Sequence, residues 1–185
     1  AAAKTANKYA FTLVSSPDEI VSKISSGEID LAAVPSNIGA TLYNKTNGNI
    51  RMLALSGLGV LYIVTKGVTI NSVQDLKGKT IVASGQGSTP EYALDMILSA
   101  NGLDPAKDVT VEYKTEHAEV ATQILTGQAS IVMLPEPFVT QVLTKDAAAK
   151  VALDLTKEWD KAVNGKSALT MTSIIARKDF VNANK

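Results

Sequence analysis

Short runs rich in β-branched and aromatic residues alternate along this chain with segments whose apolar residues recur at helical spacing. Such switching between a period of two and one of about 3.6 residues buries both kinds of face only in a layered α/β fold, with mainly parallel strands joined by helices. Tyr9 to Val14 alternates like a strand, and Ser15-Ser16-Pro17-Asp18-Glu19 reads as a helix start, with serine before proline and acids at the positive helix end. Ile20, Ile24 and the Gly27 stop complete that helix. Asp30 to Val34 is a predicted buried strand, broken by Pro35-Ser36-Asn37 before a helix through Tyr43. Asn47-Gly48-Asn49 is a predicted turn, followed by strands Ile50 to Leu55 and Val60 to Thr65.

A polar connector, Lys66 to Lys77, leads into a second round of the same rhythm. Its predicted elements are a strand Thr80 to Ala83, a helix Pro90 to Ala100, a strand Val109 to Tyr113, a helix His117 to Leu125 and a strand Ser130 to Leu134. A helix to Lys145, a strand Val151 to Leu155, a short helix around Trp159, a strand Ala168 to Ala176 and a helix from Lys178 follow. The two polar crossings, near 66–78 and 145–151, predict that one lobe is inserted in the other: 1–77 and 149–185 form the first lobe, 78–148 the second. Lobes connected in this way move as units about the crossings.

Composition narrows the functional classes. Lys plus Arg and Asp plus Glu each number 18, giving a net charge of zero. That balance lacks the basic footprint of a nucleic-acid binder, so no nucleic-acid partner is expected. Absence of cysteine removes disulfides, thiolate catalysis and zinc ribbons, and is compatible with export. The longest apolar stretch, Leu53 to Val64, falls short of the ~20 residues that span a bilayer. Ala1-Ala2-Ala3-Lys4 lacks the segments of a signal peptide, so such a peptide is expected to be absent from this chain.

Candidate site residues fall just past predicted strands, where open α/β sheets bind ligands. Ser84-Gly85-Gln86-Gly87-Ser88-Thr89-Pro90 combines a tight glycine turn with a helix start whose free N–H groups suit an anionic or strongly polar group; a plain, well-capped turn is the alternative. No lysine completes a P-loop, and Pro90 occupies the place of a dinucleotide fingerprint's third glycine. Ser36 and Asn37 form a second candidate, with helix capping as the alternative. Ser56-Gly57 is a third polar point, with turn chemistry as its alternative. Glu136, between Pro135 and Pro137, sits on a stiff elbow suited to accept hydrogen bonds from a ligand or to cap the next helix. His117, the only histidine, stands at a helix start as a capping or ligand-touching residue. With one histidine and scattered acids no metal site is expected, and no catalytic set assembles.

Several stretches together resemble the solute-binding proteins of ABC transporters, in the branch of nitrate, aliphatic-sulfonate, taurine and thiamine-pyrimidine binders. They are Gly27-Glu28-Ile29-Asp30-Leu31-Ala32-Ala33-Val34-Pro35, Ser72-Val73-Gln74-Asp75-Leu76-Lys77-Gly78-Lys79-Thr80-Ile81, the Gly/Ser/Thr loop, Asn101-Gly102-Leu103-Asp104-Pro105 and Leu134-Pro135-Glu136-Pro137. This resemblance implies a type 2 periplasmic-binding fold that closes on its ligand by a hinge. It implies that Ser36, Asn37 and Ser56 line one wall, and Ser84, Gln86, Gly87, Ser88, Thr89 and Glu136 the other. It also implies an extracytoplasmic, non-catalytic monomer without cofactor that hands a small polar solute to a membrane permease. Set against the family pattern, the first lobe is expected to lack elements at both ends. The alternatives are an enzyme on the same fold, akin to menaquinone or thiamine-pyrimidine biosynthesis, and the effector lobe of a regulator. With only Arg51 and Arg177 present, a neutral, zwitterionic or heteroaromatic solute is favoured over a simple dianion.

Overall fold

A computed structural model describes residues 8–14 and 17–184. The predicted capping serines Ser15 and Ser16 and the Ala1–Lys4 segment lie outside the described residues. The first elements are α1 (Pro17–Ser26), β1 (Leu31–Pro35), α2 (Ser36–Lys45), β2 (Ile50–Leu58) and β3 (Leu61–Lys66). After a 3₁₀ turn at Val73–Leu76 come β4 (Thr80–Ser84), α3 (Thr89–Ala100), β5 (Thr110–Lys114), α4 (His117–Leu125) and β6 (Ile131–Pro135). The chain continues through α5 (Phe138–Lys145), β7 (Ala149–Asp154), α6 (Leu155–Ala162), β8 (Thr170–Arg177) and α7 (Lys178–Ala183). No helix among the described residues is long and apolar enough to cross a membrane.

The strands form two sheets, ordered β1-β8-β2 and β5-β4-β6-β3-β7. β1 and β2 both run antiparallel to β8, so they point the same way with a reversed strand between them. In the larger sheet β4 pairs in parallel with β5 and β6, while β3 runs antiparallel to both β6 and β7. The strands that helices link therefore share one direction in each sheet, as the alternating pattern requires. Each reversed strand is a newcomer from the other lobe and lies inside the sheet, which makes most pairings antiparallel.

Burial explains why the larger sheet reads as continuous apolar runs. On one face Leu61, Ile63, Ile81, Ala83, Ile131 and Met133 pack with Leu94, Ile97 and Leu98 of α3 and Leu155 of α6. Across the sheet Val64, Val82, Val132 and Leu134 pack with Val120 and Ile124 of α4 and Val139 and Val142 of α5. Successive residues of one strand thus serve opposite cores, and each fully buried Leu or Ile contributes ~1.5–3 kcal/mol. The three-stranded sheet has a smaller core of Ile24, Val34, Leu42, Ile50 and Ile175 under α1 and α2.

Two expectations are corrected. Tyr9 to Val14 is irregular rather than a strand: Phe11 and Leu13 are 83% and 97% exposed, and β1 pairs only with β8. Alternation supplies a face for a strand, but a strand also needs a ladder of backbone hydrogen bonds, and this segment belongs to neither sheet. The second correction concerns where the lobes part. Polarity marked 66–78 and 145–151, yet β3 and β7, both outside 78–148, belong to the larger sheet. The chain crosses instead at Leu58–Leu61 and again between α6 and β8, where Gly59 N donates to Leu169 O at 2.8 Å. The first of these crossings is short and apolar, so it carries no polar signal.

The first crossing is sharply bent. Gly59 and Val60 both have a φ of 68°, and a Cβ on Gly59 would run into the Thr156 hydroxyl. At Val60 the β-branched side chain makes this left-handed backbone costly, by about 1–2 kcal/mol. In the core, Leu94 is fully buried in α3. Leu94→Ala is expected to destabilise the fold by ~2–5 kcal/mol through lost burial and a residual cavity, read as a lower urea midpoint with an unchanged slope.

Candidate functional site

Shared strand direction brings the candidate residues to two facing edges. Because β1 and β2 are codirectional, Ser36 and Asn37 after β1 and Ser56-Gly57 near the end of β2 lie along one edge of the small sheet. The same logic places Ser84 at the end of β4, His117 after β5 and Glu136 after β6 along one edge of the larger sheet. The edges meet at Asn37. Its Nδ2 donates to Gly87 O at 3.4 Å, and its Oδ1 accepts from Thr89 Oγ1 at 3.2 Å. One amide thereby spans the lobes, using both a donor and an acceptor. Beside it the Ser36 Oγ is buried with no hydrogen-bond partner among the described residues.

The loop before α3 is tightly self-bonded. Ser88 Oγ donates to Gly85 O at 2.6 Å, and Gly87 N donates to the Glu91 carboxylate at 2.5 Å. Gly85 and Gly87 have φ values of 83° and 72°, which glycine alone adopts cheaply. The expectation of free N–H groups is thus corrected at Gly87, where Glu91 in the first turn of α3 already supplies an acceptor. An acid three residues into a helix is the signal that identifies such a partner in a sequence. Gln86 is exposed at the tip of this loop.

Ser84 and His117 come together deeper in the edge. The Ser84 hydroxyl, almost fully buried, meets His117 Nδ1 at 2.5 Å, and the imidazole packs on Phe138 with centroids 5.5 Å apart. Burial pushes the His117 pKa below its ordinary value, against a smaller opposing effect of the Glu116 carboxylate. The ring is therefore neutral at physiological pH and offers one donor and one acceptor. Nearby, burial and then the Glu91 and Asp95 carboxylates hold the Tyr113 phenol well above its usual range.

Glu136 and Ser56 are held locally. Glu136 N donates to Val60 O at 2.9 Å, and its Oε2 accepts from Thr140 N and Thr140 Oγ1 at 3.1 and 2.9 Å. The carboxylate thus caps α5, through one of its two oxygens, behind a cis Glu136–Pro137 peptide. Ser56 donates to Thr172 Oγ1 at 3.1 Å, and Gly57 sits where any Cβ would strike that same hydroxyl. Ser56-Gly57 is no turn: both lie within β2, at a shift in its register with β8. Among the described residues neither Ser56 nor the Glu136 side chain bonds to the facing lobe. A separate concavity of ≈ 580 Å³ lies elsewhere, around Arg177, Lys45 and Asn182, and none of the candidate residues line it. No group of three or more His, Asp or Glu among the described residues is placed to hold a metal ion.

A family model described as ABC transporter, phosphonate, periplasmic substrate-binding protein matches residues 3–162. Among solved structures, an ABC transporter from Parabacteroides distasonis is 24% identical with a TM-score of 0.70, covering 91% of this chain and 57% of that one. The periplasmic aliphatic sulphonate binding protein SsuA from Escherichia coli is 18% identical with a TM-score of 0.71, covering 92% and 55%. The alkanesulfonate-binding protein SsuA from Xanthomonas axonopodis pv. citri, bound to MOPS, is 20% identical with a TM-score of 0.59, covering 92% and 55%. These likenesses establish the fold, and the chain spans about half the length of the structures it matches. No curated protein sequence matches it at a significant level.

The histidine makes stability depend on pH with a definite sign. A pKa lower in the folded than in the unfolded state means that the unfolded chain binds the proton more readily. Stability is therefore expected to fall as pH drops below about 6.5, while the depressed carboxylates of Asp75, Asp104, Asp108 and Asp146 are still ionised. Urea midpoints at pH 7.5 and about pH 5.5 measure the loss, and His117→Gln is expected to flatten it.

Proposed function

Because the chain belongs to the phosphonate periplasmic substrate-binding family of ABC transporters, we propose that it captures a small polar organic solute between its lobes and delivers it to the permease of an ABC importer. It acts outside the cytoplasm, as a monomer and without catalysis. The observation that carries this reading is the Asn37 amide bonded across the lobes to Thr89 and Gly87. A solute entering there exchanges these direct contacts for its own, so ligand and lobe closure are linked. Ser36 Oγ, the Thr89 hydroxyl and the Ser84–His117 pair supply neutral donors and acceptors, and Glu136 has a second oxygen for an amine. With the Gly87 N–H answered by Glu91, this set suits a zwitterion such as an amino-sulfonate or amino-phosphonate better than a bare dianion.

Reading the Ser84–His117 contact as a nucleophile and its base has less support. Ser84 is only 3% exposed, and among the described residues no carboxylate is hydrogen-bonded to the imidazole to orient it.

Taurine, ethanesulfonate, methylphosphonate and a thiamine pyrimidine are the probes. A solute at about 100 times its Kd is expected to stabilise the protein by roughly 2.7 kcal/mol, read as a thermal shift. Asn37→Ala and Thr89→Ala are each expected to weaken the responding solute by about tenfold in calorimetric titration, with little change in melting temperature. Failure of every probe to shift the unaltered protein, or unchanged affinity in both variants, overturns the assignment.

A further inference from the structure

We propose that Val60 is a strain-loaded hinge residue whose left-handed backbone holds the lobes apart until a solute fills the cleft. The proposal rests on the solute-binding reading above and adds the device that sets its open-closed balance. Val60 lies in the four-residue crossing Leu58–Leu61, the first of two connections between the sheets. Such positions absorb the backbone rotation when lobes close. Its φ of 68° is a conformation that β-branched residues avoid, and nothing about the side chain demands it, since Val60 is 38% exposed. Contacts on either side hold the residue in place. Gly59 N is tied to Leu169 O on the second crossing, and Val60 O accepts from Glu136 N on the cleft edge.

The strain coexists here with the Asn37 contacts to Gly87 and Thr89, that is, with the lobes in touch. Rotation about the crossing that separates the lobes lets φ at Val60 return to the extended region, so the strain opposes closure. A smaller closed fraction weakens apparent solute affinity by the same factor, and a bound solute supplies the difference. Glycine adopts this φ freely; its extra unfolded-state entropy bears on folding rather than on the balance between two folded arrangements.

The chain has no cysteine, so Asn44→Cys on α2 and Ser99→Cys on α3 give a defined pair for spin labels. Distances between them, measured without solute, report closure alone. Val60→Gly is expected to raise the ratio of closed to open populations about 5- to 30-fold, and Val60→Asn less, since asparagine tolerates this φ better than valine. Val60→Ile, which keeps the strain, is expected to match the unaltered protein. Unchanged distances in both Val60→Gly and Val60→Asn overturn the proposal, as does an equal shift in Val60→Ile, which would trace the effect to packing. Far-UV circular dichroism confirms that each variant folds, and if Val60→Gly does not, Val60→Asn decides. Taurine titration of the same proteins separates the two claims. Closure without any taurine response leaves the hinge standing and removes the zwitterion, whereas a response with no change in distances removes the hinge.

Discussion

Both sheets depend on one arrangement: the strand that arrives from the other lobe is inserted between neighbours and is hydrogen-bonded on both sides. β3 lies between β6 and β7, and β8 lies between β1 and β2. A connection anchored in this way cannot slide, because a shift of one residue would turn every side chain of a two-faced strand to the wrong core. Motion between lobes is thereby confined to the few residues between the anchored strands. That confinement is why the backbone at Gly59 and Val60 carries so much of the geometry, and why Leu169 on the other crossing is bonded directly to it.

The cleft edges follow from the same arrangement. Codirectional strands deliver their ends, and the helix starts after them, to one side of each sheet, and the two sides face each other at Asn37 and Thr89. What distinguishes this edge is how much of its polarity is already matched internally. Gly87 N has Glu91, Ser84 has His117, Ser56 has Thr172, and one oxygen of Glu136 has Thr140. The Ser36 Oγ stands apart, buried and without a partner among the described residues.

Most elements were legible because their signals are local. Gly27, Pro35 and Asn47-Gly48 punctuate the chain where the helices and turns do begin or end, and the apolar runs of β3, β4 and β6 are strands buried on both faces. Tyr9 to Val14 misled because alternation describes a face and is silent about a partner. Polarity is a poor guide to the lobe crossings, since the first of them, Leu58-Gly59-Val60-Leu61, has hardly a polar side chain in it. At the site, strand-end position sets Asn37 opposite the loop that carries Gly87 and Thr89, to which it is bonded, whereas the Ser84–His117 pair has no local signal. Val60, Thr172 and Phe138 escaped notice because their roles come from a backbone angle and from neighbours over a hundred or a few tens of residues away, which no local pattern records. Glu91 carries a local signal, an acid in the first turn of a helix, and it satisfies the loop just before it.

The central place of β8 also governs the order in which the molecule can assemble. β1 and β2 do not pair with each other; both wait for a strand that is synthesised more than a hundred residues after β2. The five strands of the larger sheet are contiguous in the chain and meet through short connections, so that lobe can form first. Until β8 docks, Met52, Leu53, Leu55 and Leu58 belong to an unpaired segment, and about half of each side chain's surface is exposed among the described residues. The first lobe thus has the slower, higher-contact-order half of the folding reaction, and its nascent form is the species that a chaperone or an aggregate would meet.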